Sequence, residues 1–168
     1  GLYLYYVAFS IVERMQIHDF LKGVGMEGAS NSQLTKVGAT YTGGATNGFI
    51  GFDIYGGTAA TAANASSILR DCYASGTSGL TGQVGFKLSG TYMSDVQLDT
   101  CETALTNYGY YLDYSTAPNY NVDIILRNPI VDRYFTQGIL VNALPANGVL
   151  QIIGGYSNPD TLGSAAQN

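Results

Sequence analysis

The chain has 168 residues, enough for one domain with a sizeable core, and it carries a net charge of −5. Charged residues make up only 11% of it, against about 25% in an average soluble domain, so large uncharged areas of surface are expected. The seven Lys and Arg residues are scattered, which argues against nucleic acid and against anionic membranes as partners.

The N-terminal segment is the most apolar part of the chain. Leu4, Ala8, Ile11 and Met15 recur at helical spacing, which predicts an apolar helix over residues 1–22. The apolar run is too short to span a bilayer, which takes about 20 residues. A helix that is apolar nearly all round needs cover, and we expect another subunit to supply it. The predicted assembly interface comprises Leu2, Tyr3, Leu4, Tyr6, Val7, Phe9 and Ile11.

The middle of the chain alternates between helical and strand patterns. After a Gly- and Ser-rich loop over 23–47, with a short strand at 35–41, strands are predicted at 48–55, 84–88 and 110–114. Helices are predicted at 59–74 and from the capping box at 94–97 to Gly109. Both cysteines then lie on apolar helix faces.

The last third reads as β-structure. Strands are predicted at 122–126, 138–143 and 149–153, and the turn residues 145–148 join the last two into a hairpin. Residues 158–168 form a loose or docked tail. No internal repeat is apparent, and the order of elements predicts an α+β domain over 23–157, with a mixed β-sheet, helices on one face and C-terminal β-hairpins.

Residues 68–114 follow an order of elements that bears on function. Their layout resembles a domain of contractile phage tail sheaths: a helix, a Gly/Ser loop, strand 84–88, a capped helix and strand 110–114. The resemblance covers about a quarter of the chain and implies a virion or filament component.

The residue types needed for catalysis are sparse. His18 is the only histidine, which excludes a two-histidine metal site, and no Gly-x-Ser-x-Gly elbow is present to build a hydrolase triad around it. Asp53 with Asp113 or Asp99 is the remaining carboxylate pair that a hydrolase could use. Gly56-Gly57-Thr58 predicts a tight turn rather than a phosphate loop. We expect no catalytic residues, no metal and no cofactor.

Two further features concern covalent chemistry. Cys72 and Cys101 are the only cysteines, and an even pair suits either one disulfide or two buried thiols. Asn64-Ala65-Ser66 is a candidate glycosylation sequon, although Asn64 could instead cap the predicted helix.

These observations favour a non-catalytic, self-assembling structural subunit of a virion, tail, pilus or other extracellular filament or shell. Apolar and tyrosine-rich surfaces would pack between copies, because tyrosine suits contacts that are dry at one end and wet at the other. The expected location is extracellular or on a virion surface. One alternative is an extracellular glycan- or ligand-binding domain that uses the tyrosines at 110–120. A second is a carboxylate-dependent hydrolase.

Overall fold

The computed structural model describes residues 1–44, 47–57, 63–114, 122–145 and 147–159, and within these ranges it contains strands and no helix. Nineteen strands follow one another along the chain: β1 Leu2–Tyr5, β2 Ile11–Glu13, β3 Gln16–His18, β4 Lys22–Glu27, β5 Gln33–Thr35, β6 Gly38–Thr40, β7 Ile50–Gly56, β8 Asn64–Ala65, β9 Ile68–Arg70, β10 Tyr73–Ser75, β11 Val84–Gly90, β12 Met93–Asp99, β13 Glu102–Ala104, β14 Tyr108–Asp113, β15 Val122–Arg127, β16 Ile130–Tyr134, β17 Gln137–Ala143, β18 Val149–Ile153 and β19 Tyr156–Pro159.

The strands form three sheets in which every described pairing is parallel. The first sheet has the order β1-β4-β7-β11-β14-β17, the second β2-β5-β9-β12-β15-β18, and the third β3-β6-β10-β13-β16-β19. The short β8 also pairs with β12. The chain therefore winds through the three sheets in turn, and six successive coils stack into a parallel β-solenoid. In such a fold each coil packs only on its neighbours.

A ladder of glycines marks the start of the first-sheet strand in each coil. A Cβ atom added to Gly85 would lie 2.3 Å from the Thr103 hydroxyl oxygen and 2.7 Å from the carbonyl oxygen of Gly109. Because the first and third sheets approach so closely at this corner, only a residue without a side chain fits. The strand registers place these glycines in line: Gly1, Gly23, Gly51, Gly85, Gly109 and Gly138.

Equivalent positions of successive coils stack inside the solenoid. The rings of Phe52, Phe86 and Tyr110 are fully buried, with ring centroids 4.7 and 5.1 Å apart and ring planes 14° from parallel. The Tyr110 hydroxyl donates to the Cys101 carbonyl oxygen at 2.6 Å. The second sheet contributes a matching ladder of buried leucines at Leu34, Leu69, Leu98 and Leu126.

At the corner between the second and third sheets, one residue of every described coil has a left-handed backbone conformation. Its φ lies between 46° and 69° at each position. In the first five coils its N–H donates to a carbonyl oxygen of the next coil, as from Lys36 to Arg70 at 3.0 Å. A left-handed residue cannot continue an α-helix, so the chain turns there. The six corner residues are Arg14, Lys36, Asp71, Thr100, Asn128 and Gly154.

The α+β prediction is therefore wrong, beginning with the N-terminal helix over 1–22. Left-handed backbone at Tyr6, Phe9, Arg14 and Asp19 divides this segment into β1, β2 and β3. Leu4 is buried and Met15 lies at an inward corner position, but Ala8 and Ile11 are exposed, so the helical spacing does not mark one buried face.

The other predicted helices fail for the same reason. Ser66 and Asp71 have positive φ within 63–74, and residues 59–62 lie outside the described residues. The capping box at 94–97 lies inside β12, with Asp95 at φ 52°, so the phage-sheath layout over 68–114 is also wrong.

The predicted strands lie close to β7, β11, β14, β15, β17 and β18, but the hairpin and the mixed sheet are wrong. β17 belongs to the first sheet and β18 to the second, and each pairs in parallel with the coil before it. Residues 160–168 of the predicted tail lie outside the described residues, whereas 158–159 belong to β19.

Candidate functional site

The exposed apolar side chains of the described residues lie at the two ends of the solenoid. Fourteen large apolar side chains are exposed, and each belongs to the first coil or the last. Those of the first coil are Tyr3, Tyr5, Tyr6, Phe9, Ile11, Met15, Phe20 and Leu21; those of the last are Val141, Leu144, Val149, Ile152, Ile153 and Tyr156.

Several of these residues occupy ladder positions that are buried elsewhere. Ile152 continues the leucine ladder of the second sheet and is 47% exposed, whereas Leu126, its neighbour one coil earlier, is fully buried. Met15 is 38% exposed, whereas Val37 at the same corner position is fully buried. These side chains are exposed because no described coil lies beyond them, so each end presents a cross-section of the core.

Each end also contains a hollow. At the first coil a cavity of about 350 Å³ is lined by Leu2, Met15, Ile17 and Phe20, among others. At the last coil a cavity of about 220 Å³ is lined by Ile139, Ile152, Tyr156 and neighbouring residues. Both hollows are bordered mainly by apolar atoms, as expected where interior side chains lack a neighbour to pack against.

Charge is distributed unequally between the ends. Residues 137–159, which form the last coil, include no Asp, Glu, Lys or Arg, whereas the first coil carries Glu13, Arg14 and Asp19. Covering the last coil would therefore desolvate no ionised side chain of that coil. Beyond each end coil, three parallel strand edges have no neighbour among the described strands, and such edges are templates for pairing with another chain.

The predicted assembly residues all lie on the first coil. Tyr3, Tyr6, Phe9 and Ile11 are exposed, Leu2 and Val7 are partly buried, and Leu4 is buried in the core. Sequence reasoning missed the last coil as a second apolar surface because it assigned residues 138–153 to a hairpin. The absence of charge over 137–159 was the available signal.

The outer face of the first sheet carries tyrosines beside carboxylates. The rings of Tyr3 and Tyr5 are stacked with centroids 5.9 Å apart, and the Tyr3 hydroxyl donates to Glu27 Oε2 at 2.8 Å. That hydrogen bond to a carboxylate raises the pKa of Tyr3 to about 12. On the same face Lys22 forms an ion pair with Asp53.

The candidate hydrolase carboxylates are not brought together as a pair. Asp53 and Asp113 both point outward from the first sheet. They lie two strand spacings apart, about 10 Å, and at different register positions along their strands. Asp99 lies on the second sheet, where it pairs with Arg70. His18 is exposed and its Nδ1 lies 2.6 Å from the Thr40 hydroxyl oxygen. Among the described residues, no group of three or more His, Cys, Asp or Glu side chains could hold a metal ion.

Cys72 and Cys101 occupy the same corner position on neighbouring coils, inside the core. Both are free thiols, and burial raises the pKa of Cys101. Strands pair about 4.8 Å apart, within the Cα separation that a disulfide allows, so the register is compatible with a bridge. The disulfide stays a prediction.

Asn64 is fully buried and bonded to the backbone of its surroundings. Its Oδ1 accepts from the Ala29 N–H at 2.8 Å, and its Nδ2 donates to the carbonyl oxygens of Met26 and Tyr55 at 3.0 and 2.6 Å. Glycosylation of this sequon stays a prediction, and it would require the folded chain to release the Asn64 amide.

The tyrosines predicted for glycan binding divide between core and surface. Tyr110 and Tyr114 are buried, and burial raises the pKa of both hydroxyls. Tyr111 is partly exposed and stacks on Tyr108 at 5.7 Å, on the outer face of the first sheet. Tyr120 lies outside the described residues.

No family model matches this chain, and searches of the curated proteins and of the solved structures gave no match. In the described part of the chain there is no helix with the length and apolar character needed to cross a membrane.

Proposed function

We propose that this chain is a non-catalytic structural subunit that assembles through the two ends of its solenoid. The observation that supports the proposal is the confinement of the fourteen exposed large apolar side chains of the described residues to the first and last coils. Solenoids that remain single in solution normally need end coils with a polar outer face. Here the last coil carries no charge at all over residues 137–159.

Burial of these side chains supplies the driving force. Complete burial of a large apolar side chain is worth about 1.5–3 kcal/mol, so covering the exposed half of Ile152 is worth about 1 kcal/mol. Edge strands that gain partners add backbone hydrogen bonds to this apolar term. An extracellular or virion-surface filament or shell is the setting that we propose, because the low overall charge suits packing between copies.

Sedimentation velocity over a range of protein concentrations tests the proposal. The wild-type chain should form species larger than a monomer, and Ile152→Asp should weaken association at least tenfold. Ile125→Asp is the matched control, because it places the same charge on the outer face of the second sheet, away from the last coil's end face. A wild-type chain that stays monomeric at high concentration would refute the proposal.

A second candidate function is the binding of an uncharged polysaccharide along the outer face of the first sheet. Two stacked tyrosine pairs, Tyr3 with Tyr5 and Tyr108 with Tyr111, lie on this face, and carboxylates there can accept hydrogen bonds from sugar hydroxyls. Affinity electrophoresis in neutral polysaccharides should show retardation that Tyr5→Ala reduces. Tyr73→Ala, on the third sheet, should leave it unchanged.

A further inference from the structure

We infer that the assembly is polar: the last coil of one copy stacks on the first coil of a second copy, so that β17, β18 and β19 continue onto β1, β2 and β3 of the neighbour. This inference rests on the proposed function and specifies its partner and direction. The partner is a second copy of this chain.

The strand edges favour this direction. Within the chain, each coil pairs through its far edge with the near edge of the coil that follows. The free edge of the last coil is a far edge, and the free edge of the first coil is a near edge. Stacking last on first therefore repeats the parallel coil-to-coil contact that the chain already makes five times. Joining two like ends would instead require antiparallel strands, which this structure nowhere uses in its described part.

The side-chain ladders also continue across such a contact. Gly138 of one copy would be followed by Gly1 of the next at the crowded corner, and Ile152 would be followed by Val12 in the second-sheet ladder. The half-exposed Met15 would enter the junction from the other side, beside the hollow of the first coil. Both hollows are then filled by side chains of the same kind that fill the interior.

A contact between two different ends leaves one free end on each growing assembly. Such a contact does not close on itself unless the rotation happens to form a ring, so the expected product is an open filament. The six described coils, at the spacing of neighbouring strands, extend about 29 Å along the solenoid axis.

Two blocked variants test the direction. Met15→Asp disables only the first-coil end, and Ile152→Asp disables only the last-coil end. Each variant alone should be monomeric in sedimentation velocity. A one-to-one mixture should form a heterodimer of twice the monomer mass and nothing larger, because one intact last coil meets one intact first coil.

The outcomes separate the two proposals. If the wild type associates and either single variant forms a homodimer, like ends pair and the polar arrangement is wrong, although assembly stands. If the wild type associates but the mixture stays monomeric, the polar arrangement is again wrong. A monomeric wild type overturns both. Circular dichroism establishes that each variant folds, and Phe20→Asp with Val141→Asp is the replacement pair if either does not, because Phe20 lines the hollow of the first coil and Val141 continues the interior position of Leu112.

Discussion

Replacing Asn64 by alanine removes a buried, hydrogen-bonded amide from the interior of the solenoid. The Asn64 amide accepts one hydrogen bond from the Ala29 N–H and donates two, to the carbonyl oxygens of Met26 and Tyr55. These backbone groups belong to the second and third coils, and the Asn64 side chain links them. The Asn64→Ala variant would leave one backbone donor and two acceptors buried without this partner.

The expected cost follows from those three groups. A buried polar group that loses its partner costs about 1–3 kcal/mol, so the loss of three should lower the free energy of unfolding by roughly 3–9 kcal/mol. That is a large part of the roughly 5–15 kcal/mol that stabilises a typical domain. At roughly 2–4 °C per kcal/mol for a chain of this size, Tm should fall by about 10 °C or more.

Thermal and urea unfolding of Asn64→Ala against wild type measure this loss. Asn142→Ala is the matched control, because Asn142 is exposed and donates to Asp113 at the surface, so its loss should stay within about 0.5 kcal/mol. If Asn64→Ala also costs less than about 1 kcal/mol, the three hydrogen bonds do not hold the second and third coils together as described.

Three further predictions concern the glycine ladder, a corner and a surface tyrosine. Gly85→Ala should lower the free energy of unfolding in urea by about 3 kcal/mol, because the new methyl group would overlap interior atoms. Gly44→Ala, with open space around it, should change it little. Equal effects would contradict the steric origin of the glycine ladder. Thr100→Asn should raise Tm by about 2–4 °C. A β-branched residue at φ 52° is strained by about 1 kcal/mol, whereas asparagine tolerates this backbone conformation. An unchanged or lower Tm would contradict the strain. Glu27→Gln should lower the pKa of Tyr3 from about 12 towards 10, which NMR of carbon-13-labelled tyrosine would measure. An unchanged pKa would mean that the Glu27 carboxylate does not set it.

The strands of the longer segments could be predicted from the sequence, but the way they connect could not. Gly-bounded apolar runs located β7 and β11 within two residues, because alternation over seven residues is a clear signal. The three-residue strands of the third sheet carry no alternation long enough to recognise. Inward Leu98 of β12 is followed three residues later by buried Cys101 at the corner before β13, and this spacing imitates a helix.

A repeat was present in the sequence, and its irregular period concealed it. Register partners lie 22 residues apart between Leu2 and Val24, but 34 apart between Phe52 and Phe86. The connections from the first sheet to the second, and from the third sheet to the first, both differ in length. Only the block around the left-handed corner keeps a constant length, as in Leu-Arg-Asp-Cys-Tyr-Ala from Leu69 and Leu-Asp-Thr-Cys-Glu-Thr from Leu98. Aligning these blocks without assuming a fixed period would have revealed the coils.

The candidate site follows from the same architecture. A solenoid buries apolar side chains only between neighbouring coils, so the exposed cross-section is the same wherever the stack stops, unless polar residues cover it. The low charge of the whole chain pointed to surfaces between copies but could not locate them, because it is an average over all coils. The fold exposes the interior ladders at both ends, at Met15 and Ile152, and leaves the last coil without charge. Since every internal contact is made by one coil on the next in a single direction, a second copy supplied to either end would meet the surface that this fold is already built to pack against.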